Sequence, residues 1–425
     1  MAKYTDHLGR PVVVVTGMGV VSSLGRGIDE NWKNLTSGKS GIHKVKRFST
    51  EGLSTRIAGT VDFMDAEEIS APGISYAMAD ATTEEALDMA GFGKDGFPGP
   101  LFFAAPPVEL EWQHRFDLVK ETEEGEIGYE RLLASARAKK QEKMHNLIQL
   151  GTIAFRLAEK YGTKGLPISL STACASGATA LQQGIESIRR GESDAALCAA
   201  SDGSVTAEGL IRFSLLSALT THNNDAPERA SRPFSKDRSG FVMSEGSAAL
   251  VLESLEHAEA RGATILGTIR GVAEKADSFH RTRSSPNGAP VITAISKAIE
   301  DAGVEIGDID YINAHGTSTP ENDRMEYNSL HAVFGDSIHN TPISSNKSMI
   351  GHTLTAAGAI EAVFSFKTML EGVIPPTINY ETPDPDIPLD VVPNQKREAE
   401  VSTILSNSFG FGGQNACLVF GREVA

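Results

Sequence analysis

Apolar positions along the chain recur with two periods. Ile168 and Leu170 alternate with polar neighbours, a strand-like spacing. They precede "STACASGATALQQGIESIRRG", where Ala178, Leu181, Ile185 and Ile188 recur at intervals of three, four and three. Those intervals put four side chains on one face of a helix. The pattern predicts a strand ending near Leu170 and a helix starting near Cys174. At the N-terminus, residues 12–15 predict a buried strand, and Gly17 and Gly19 a tight turn after it. "AALCAAS", "GSAALVL", "IDYINA" and "NACLVF" are further strand-length apolar runs. Residues 119–149 read as a charged, mostly helical surface excursion with an acidic start and a basic end. Residues 373–393 hold six prolines, which predicts an extended, ordered loop.

The helix pattern occurs twice. "CASGATALQQGIESIRRG" (174–191) aligns without gaps on "TAAGAIEAVFSFKTMLEG" (355–372). Gly177 falls on Gly358, Ala178 on Ala359 and Gly191 on Gly372; the helix face falls on Ala359, Ala362, Phe366 and Met369. Each copy follows a Pro-Ile-Ser strand start, at Pro167 and Pro342. "GSAALVL" from Gly246 and "GQNACLV" from Gly413 follow in the same order, each a glycine-led turn into a strand. The same order twice indicates a duplicated α/β unit. The copies differ in one place. Seven positions separate Pro167 from Cys174, and thirteen separate Pro342 from Thr355. The six extra residues fall in "NKSMIGHTL", which carries Lys347 and His352, at a strand-to-helix turn where α/β proteins place functional groups.

Composition narrows the chemistry. A chain of 425 residues exceeds what one core usually serves, so two domains or two fused halves are expected. The net charge of −16 argues against nucleic acid as a partner. Three cysteines, Cys174, Cys198 and Cys417, are too few and too odd for a disulfide framework and point to a reducing compartment. The first residues, "MAKYTDHLGR", do not resemble a signal peptide, and the longest apolar run is well short of a membrane span. The expected setting is the cytoplasm, with no membrane association.

Among candidate reactive groups, Cys174 differs from the other cysteines. Cys198 and Cys417 lie in apolar strand runs, as most free cysteines do. Cys174 stands at a helix start among Ala173, Ala175, Ser176 and Gly177, with room for an acyl group. There the helix dipole favours a thiolate. His315, in "NAHGTSTP", and His352, in the insertion, each follow a strand end beside a glycine. No spacing suits a metal site. "GMGVVS" lacks the third glycine of a dinucleotide-binding turn. "NSFGFGGQNA" sets Phe409 and Phe411 among glycines, as a mobile gate offering backbone N–H groups would require.

The chain resembles the elongating type II β-ketoacyl-acyl-carrier-protein synthases. The likeness runs from "VVVTGMGVVSSLG" through "TACASG", "SRPFSKDRSGFVMSEGSAALVLE", "NAHGTSTP" and "NKSMIGHTLTAAGAIE" to "NSFGFGGQNA". The resemblance implies a thiolase-type α/β fold, two duplicated halves in α-β-α-β-α layers, in a homodimer. Residues 1–262 would carry the nucleophile and 263–425 the histidines. By motif, Cys174 would be acylated and His315 and His352 would be the paired catalytic histidines. Lys347 would support them electrostatically, with Glu326 as its partner. Thr317, Thr319 and Phe409 would contact substrate. Phe411 would be the gate, its N–H forming an oxyanion hole with that of Cys174. The activity implied is 3-oxoacyl synthesis by decarboxylative Claisen condensation with malonyl thioester in fatty acid elongation, on acyl carrier protein, with no redox cofactor or catalytic metal. Two departures stand out: Asn322-Asp323 where the family often has Gly-Asp, and Ser217, with Arg212 nearby, where relatives carry a carrier-binding arginine.

Rival readings fit less well. A thiolase would need a second active cysteine in the C-terminal glycine-rich loop. A starter-unit synthase would pair one histidine with an asparagine. A non-catalytic partner resembling polyketide chain-length factors would lack Cys174.

Overall fold

The computed structural model describes residues 3–93, 96–106, 111–120, 128–138, 145–146 and 148–423. The first half of the chain lays down β1 (Val13–Ser22), α1 (Ala71–Ala90), β2 (Leu101–Ala104), β3 (Ile168–Leu170), α2 (Ser176–Arg189), β4 (Ala195–Asp202) and β5 (Gly246–Ser254). The second lays down β6 (Gly267–Ala276), α3 (Ala289–Ala302), β7 (Tyr311–Asn313), α4 (Pro320–Phe334), β8 (Ile343–Ser344), α5 (Ala357–Glu371), β9 (Thr403–Phe409) and β10 (Gln414–Gly421).

Two runs of five strands adopt one order. The first is β3-β2-β4-β5-β1 and the second is β8-β7-β9-β10-β6. In each run three parallel strands are followed by two antiparallel ones. The runs join where β1 and β6 pair antiparallel, Val13 with Ile269 through Val15 with Gly267. The repeat seen in the sequence is therefore a repeat of topology, and "GSAALVL" and "GQNACLV" form the fourth strand of each run.

Helices α2 and α5 lie between the runs, touching strands of both and each other. A helix covered on all sides needs no polar face, and α5 is apolar nearly all round. The two helices meet at their matched glycines. A Cβ on Gly177 would sit 2.6 Å from the Ala359 nitrogen, and one on Gly358 would sit 2.7 Å from the Ala178 nitrogen. This contact holds the two helix starts side by side. Helix α1 covers the outer face of the first run, and α3, with α4 against it, covers that of the second, which completes five layers.

One expectation is corrected. Gly17 and Gly19 do not form a turn, because β1 runs through both with a bulge between Val15 and Gly17. They are glycines because α1 crosses the strand there. A Cβ on Gly17 would lie 2.0 Å from the Ala86 oxygen, and one on Gly19 would lie 2.1 Å from the Thr82 oxygen.

Of the charged excursion, Trp112–Lys120 and Tyr129–Arg137 are helical, while 121–127, 139–144 and 147 lie outside the described residues. The proline-rich stretch is an ordered irregular loop, pinned by Thr377 N–H to the Val392 carbonyl at 3.0 Å and Asn394 N–H to the Thr377 carbonyl at 2.9 Å. No described helix is long and apolar enough to cross a membrane.

Candidate active site

Cys174 is delivered by a strained turn. After β3 the backbone passes through Ala173 at φ 51°, a left-handed conformation that costs an alanine about 1–2 kcal/mol. Helix α2 begins two residues beyond Cys174, with Ser176 Oγ accepting the Thr172 N–H at 2.7 Å. The thiol is buried, and the Phe411 backbone N–H is placed to favour its thiolate. Burial pushes the thiol up to about 11, against the pull of that N–H and of the Lys347 charge. Desolvation thus works against the thiolate that the helix-start field favours. Cys198 and Cys417 are fully buried in β4 and β10, and burial raises both thiols further still.

The second half brings both histidines to the thiol. His315 follows β7, in a turn fixed by Glu326 of α4. The Glu326 carboxylate accepts the His315 and Gly316 N–H groups, each at 2.8 Å, and the Asn407 side-chain amide at 3.2 Å. Gly316, at φ 39°, allows the turn to press against Ser345. His352 lies just past the short helix Lys347–Ile350, which folds from the inserted residues. Its N–H donates to the Val242 carbonyl at 2.7 Å, and its own carbonyl accepts the Ser244 N–H at 2.9 Å. The imidazoles meet edge to face, centroids 5.4 Å apart, with Phe409 against His315 and Phe241 against His352.

Burial lowers both histidines well below their usual range, and the Lys347 charge lowers them further, so they are neutral at pH 7. Each Nδ1 is buried without a hydrogen-bond partner among the described residues. A buried lone pair tolerates that better than a buried N–H, which places each ring proton on Nε2.

Lys347 does not pair with Glu326. Its ammonium is ion-paired with Glu361 of α5, both groups almost fully buried. The physical reason is that backbone N–H groups already occupy both Glu326 oxygens. Burial pushes each carboxyl up to about 7. Glu361 was missed, although it carried a signal: it is a charge among the apolar residues of the first two turns of α5, where the first copy has Ala180.

Two cavities meet at the thiol. An outer one of about 390 Å³ is lined by His315, His352, Thr317 and Thr319. An inner one of about 140 Å³ extends from Cys174 toward Glu111 and Glu208. Phe213 and Phe411 line both. Thr317 and Thr319 share a hydroxyl hydrogen bond of 2.9 Å, and Thr319 caps α4. Phe411 lies among Gly410, Gly412 (φ 98°) and Gly413 (φ 91°). This loop is tied to the loop opposite: Gly412 N–H donates to the Arg281 carbonyl at 2.8 Å, and Asp277 N–H to the Gly413 carbonyl at 2.7 Å. Asp277 was also missed in the sequence, where nothing marks it. Asn322 and Asp323 keep the α4 start intact, with the Asp323 carboxylate accepting the Phe234 and Ser318 N–H groups. No group of three or more potential metal-ligating residues occurs among the described residues.

Layering and duplication of this kind define a thiolase-type fold, with the reactive groups where the two halves meet. The chain belongs to the β-ketoacyl synthase family, a family of acyltransferases. It matches the β-ketoacyl synthase N-terminal domain over residues 10–103 and 113–258, and the C-terminal domain over 266–381. It is 36% identical to the 3-oxoacyl-[acyl-carrier-protein] synthase 2 of Coxiella burnetii, over 96% of this chain and 98% of that one. It is 38% identical to the putative polyketide β-ketoacyl synthase 1 of Streptomyces cyaneus, with the same coverage of each chain. A solved type II polyketide acyl-carrier protein in complex with its ketosynthase superposes with a TM-score of 0.87, at 32% identity, over 97% of this chain and 100% of that one.

Proposed function

We propose that the protein is a 3-oxoacyl-[acyl-carrier-protein] synthase that condenses an acyl group held on Cys174 with malonyl thioester. The observation that carries this reading is a buried cysteine meeting two neutral histidines from the other half of the duplication, at the junction of two cavities. In the first step the Cys174 sulfur attacks the carbonyl of an acyl thioester on the carrier. The N–H groups of Cys174 and Phe411 stabilise the oxyanion. The thiol proton leaves with the carrier's phosphopantetheine thiol, a route available to a cysteine that rests protonated. Phe411 moves with its glycine-flanked loop to admit the chain, beside Phe409.

In the second step malonyl thioester enters the outer cavity, its arm along Thr317 and Thr319, and loses CO2. The electron pair moves onto the thioester oxygen, and the Nε2–H groups of His315 and His352 donate to it. Burial, with the Lys347 charge, keeps both rings neutral, so each holds one ring proton to donate. In the third step the enolate carbon attacks the acyl-Cys174 carbonyl. Collapse expels the thiolate, which takes a proton from solvent, and releases a 3-oxoacyl thioester. Every step uses groups of this chain, without a redox cofactor or metal.

Fatty acid elongation is the setting the motifs suggest. A polyketide-type ketosynthase is the second reading, favoured by the charged wall of the inner cavity and by relatives of both kinds. Acyl carrier protein is the proposed partner in either case. A homodimer is supported by the edge of β3, unpaired among the described residues, with Ile168 47% exposed and Leu166 just before the strand 80% exposed. Mass spectrometry of products formed from malonyl carrier and a panel of acyl carriers tests the reading. Products two carbons longer and bearing a 3-oxo group support it; thioester hydrolysis alone contradicts it.

A further inference from the structure

The wall of the inner cavity has two characters. One part is apolar and lies around the sulfur: Ala173, Phe213, Met243, Leu354 and Phe411. Another part is charged. Glu111 and Glu208 line it, with Thr206 and Arg212. Both carboxylates also fasten the chain around the cavity. Glu111 accepts the Ala71 N–H at the start of α1 at 2.6 Å, and Glu208, on the helix Ala207–Leu215, accepts the Trp112 N–H. They stand close enough for Glu208 to raise the pKa of Glu111, on top of the larger effect of burial. Asp202 also lines the cavity and Arg212 lies one helical turn beyond Glu208, so its described lining holds three carboxylates and one guanidinium.

An alkyl chain reaching these two partly buried carboxylates would displace water from them and offer no donor in its place. A chain ending in a donor would replace that water. We propose that Glu111 and Glu208 select the acyl group accepted by Cys174, favouring chains whose far end carries a hydroxyl or amine over alkyl chains of equal length. This inference rests on the ketosynthase reading and names its acyl substrate class.

The test compares two pantetheine thioesters with equal heavy-atom counts, 6-hydroxyhexanoyl and heptanoyl. Intact-protein mass spectrometry follows acylation of Cys174 over time. The expected ratio is about tenfold in favour of the hydroxy chain, the value of one net hydrogen bond to a charged group. Glu208→Leu brings the ratio to one or inverts it. Glu208→Gln keeps a carbonyl for the Trp112 N–H while removing the charge, and lowers the ratio part of the way even if the leucine variant does not fold. Equal or faster loading of heptanoyl by the unaltered protein overturns the inference and leaves the ketosynthase reading standing. If neither chain loads and no CO2 is released from malonyl pantetheine, the ketosynthase reading fails and the inference with it.

Discussion

The starts of α2 and α5 are the same structure used for different ends. They meet through Gly177 and Gly358, and Cys174 corresponds to Thr355. Thr355 is committed to the fold: its hydroxyl reaches the Asp202 carboxylate at 2.8 Å and the Ser201 carbonyl at 3.0 Å. The Cys174 thiol has no such side-chain commitment among the described residues and faces the Phe411 backbone N–H of a glycine-rich loop. The preceding turns differ in the same sense. The first copy turns directly from β3 into α2. The second spends six more residues, and these carry Lys347 and His352 toward the cysteine of the first. Duplication supplied two equivalent helix starts, and the insertion turned one copy into the wall of the other's site.

The largest stability effect tests the insertion. Lys347→Met leaves Glu361 buried without its cation, which costs about 3–5 kcal/mol. Urea unfolding measures it, and Lys347→Met with Glu361→Leu recovers most of the loss. A single variant as stable as the unaltered protein would show that the pair is not a buried ion pair. The next effect tests the helix starts. Thr355→Val costs about 1–3 kcal/mol by leaving Asp202 with one fewer donor, whereas Cys174→Ala changes stability by about 1 kcal/mol or less. Equal losses would erase the proposed division between a structural copy and a chemical one.

The smallest effect is a pH profile. A buried thiol raised to about 11 exposes less thiolate at pH 8 than an ordinary cysteine of about 8.5. Alkylation of Cys174 by iodoacetamide therefore keeps rising with pH toward 11. A plateau reached by pH 8 would mean that the helix field outweighs burial after all. Preferential labelling of Cys198 or Cys417 would contradict Cys174 as the most reactive thiol.

What was legible in the sequence follows from these same features. The repeat could be read because both central helices are covered on all sides, so their small and apolar positions align. Cys174, His315 and His352 could be picked out because each breaks a local pattern at a strand end. Gly17 and Gly19 were misread because a glycine that makes room for a crossing helix looks, in sequence, like one that makes a turn. The Lys347 partner was misassigned because a carboxylate's neighbours depend on which backbone N–H groups reach it first, and Glu326 is claimed by the His315 turn. The charged wall of the inner cavity draws on Glu111 and Glu208, about a hundred residues apart in sequence, and no local spacing announces it.

The proposed chemistry divides the labour between the halves: the second decarboxylates, the first holds the acyl chain. Release of labelled CO2 from malonyl carrier protein tests it most directly, measured for Cys174→Gln, His315→Ala and His352→Ala. Decarboxylation needs donors for the enolate oxygen but no nucleophile. Cys174→Gln, whose amide resembles an acylated cysteine, is predicted to lose condensation and to keep or raise CO2 release. Each histidine variant is predicted to lose about a hundredfold or more in CO2 release, the usual effect of removing one preorganised donor. If Cys174→Gln released no CO2 while a histidine variant released it at the normal rate, these histidines would not be serving the enolate.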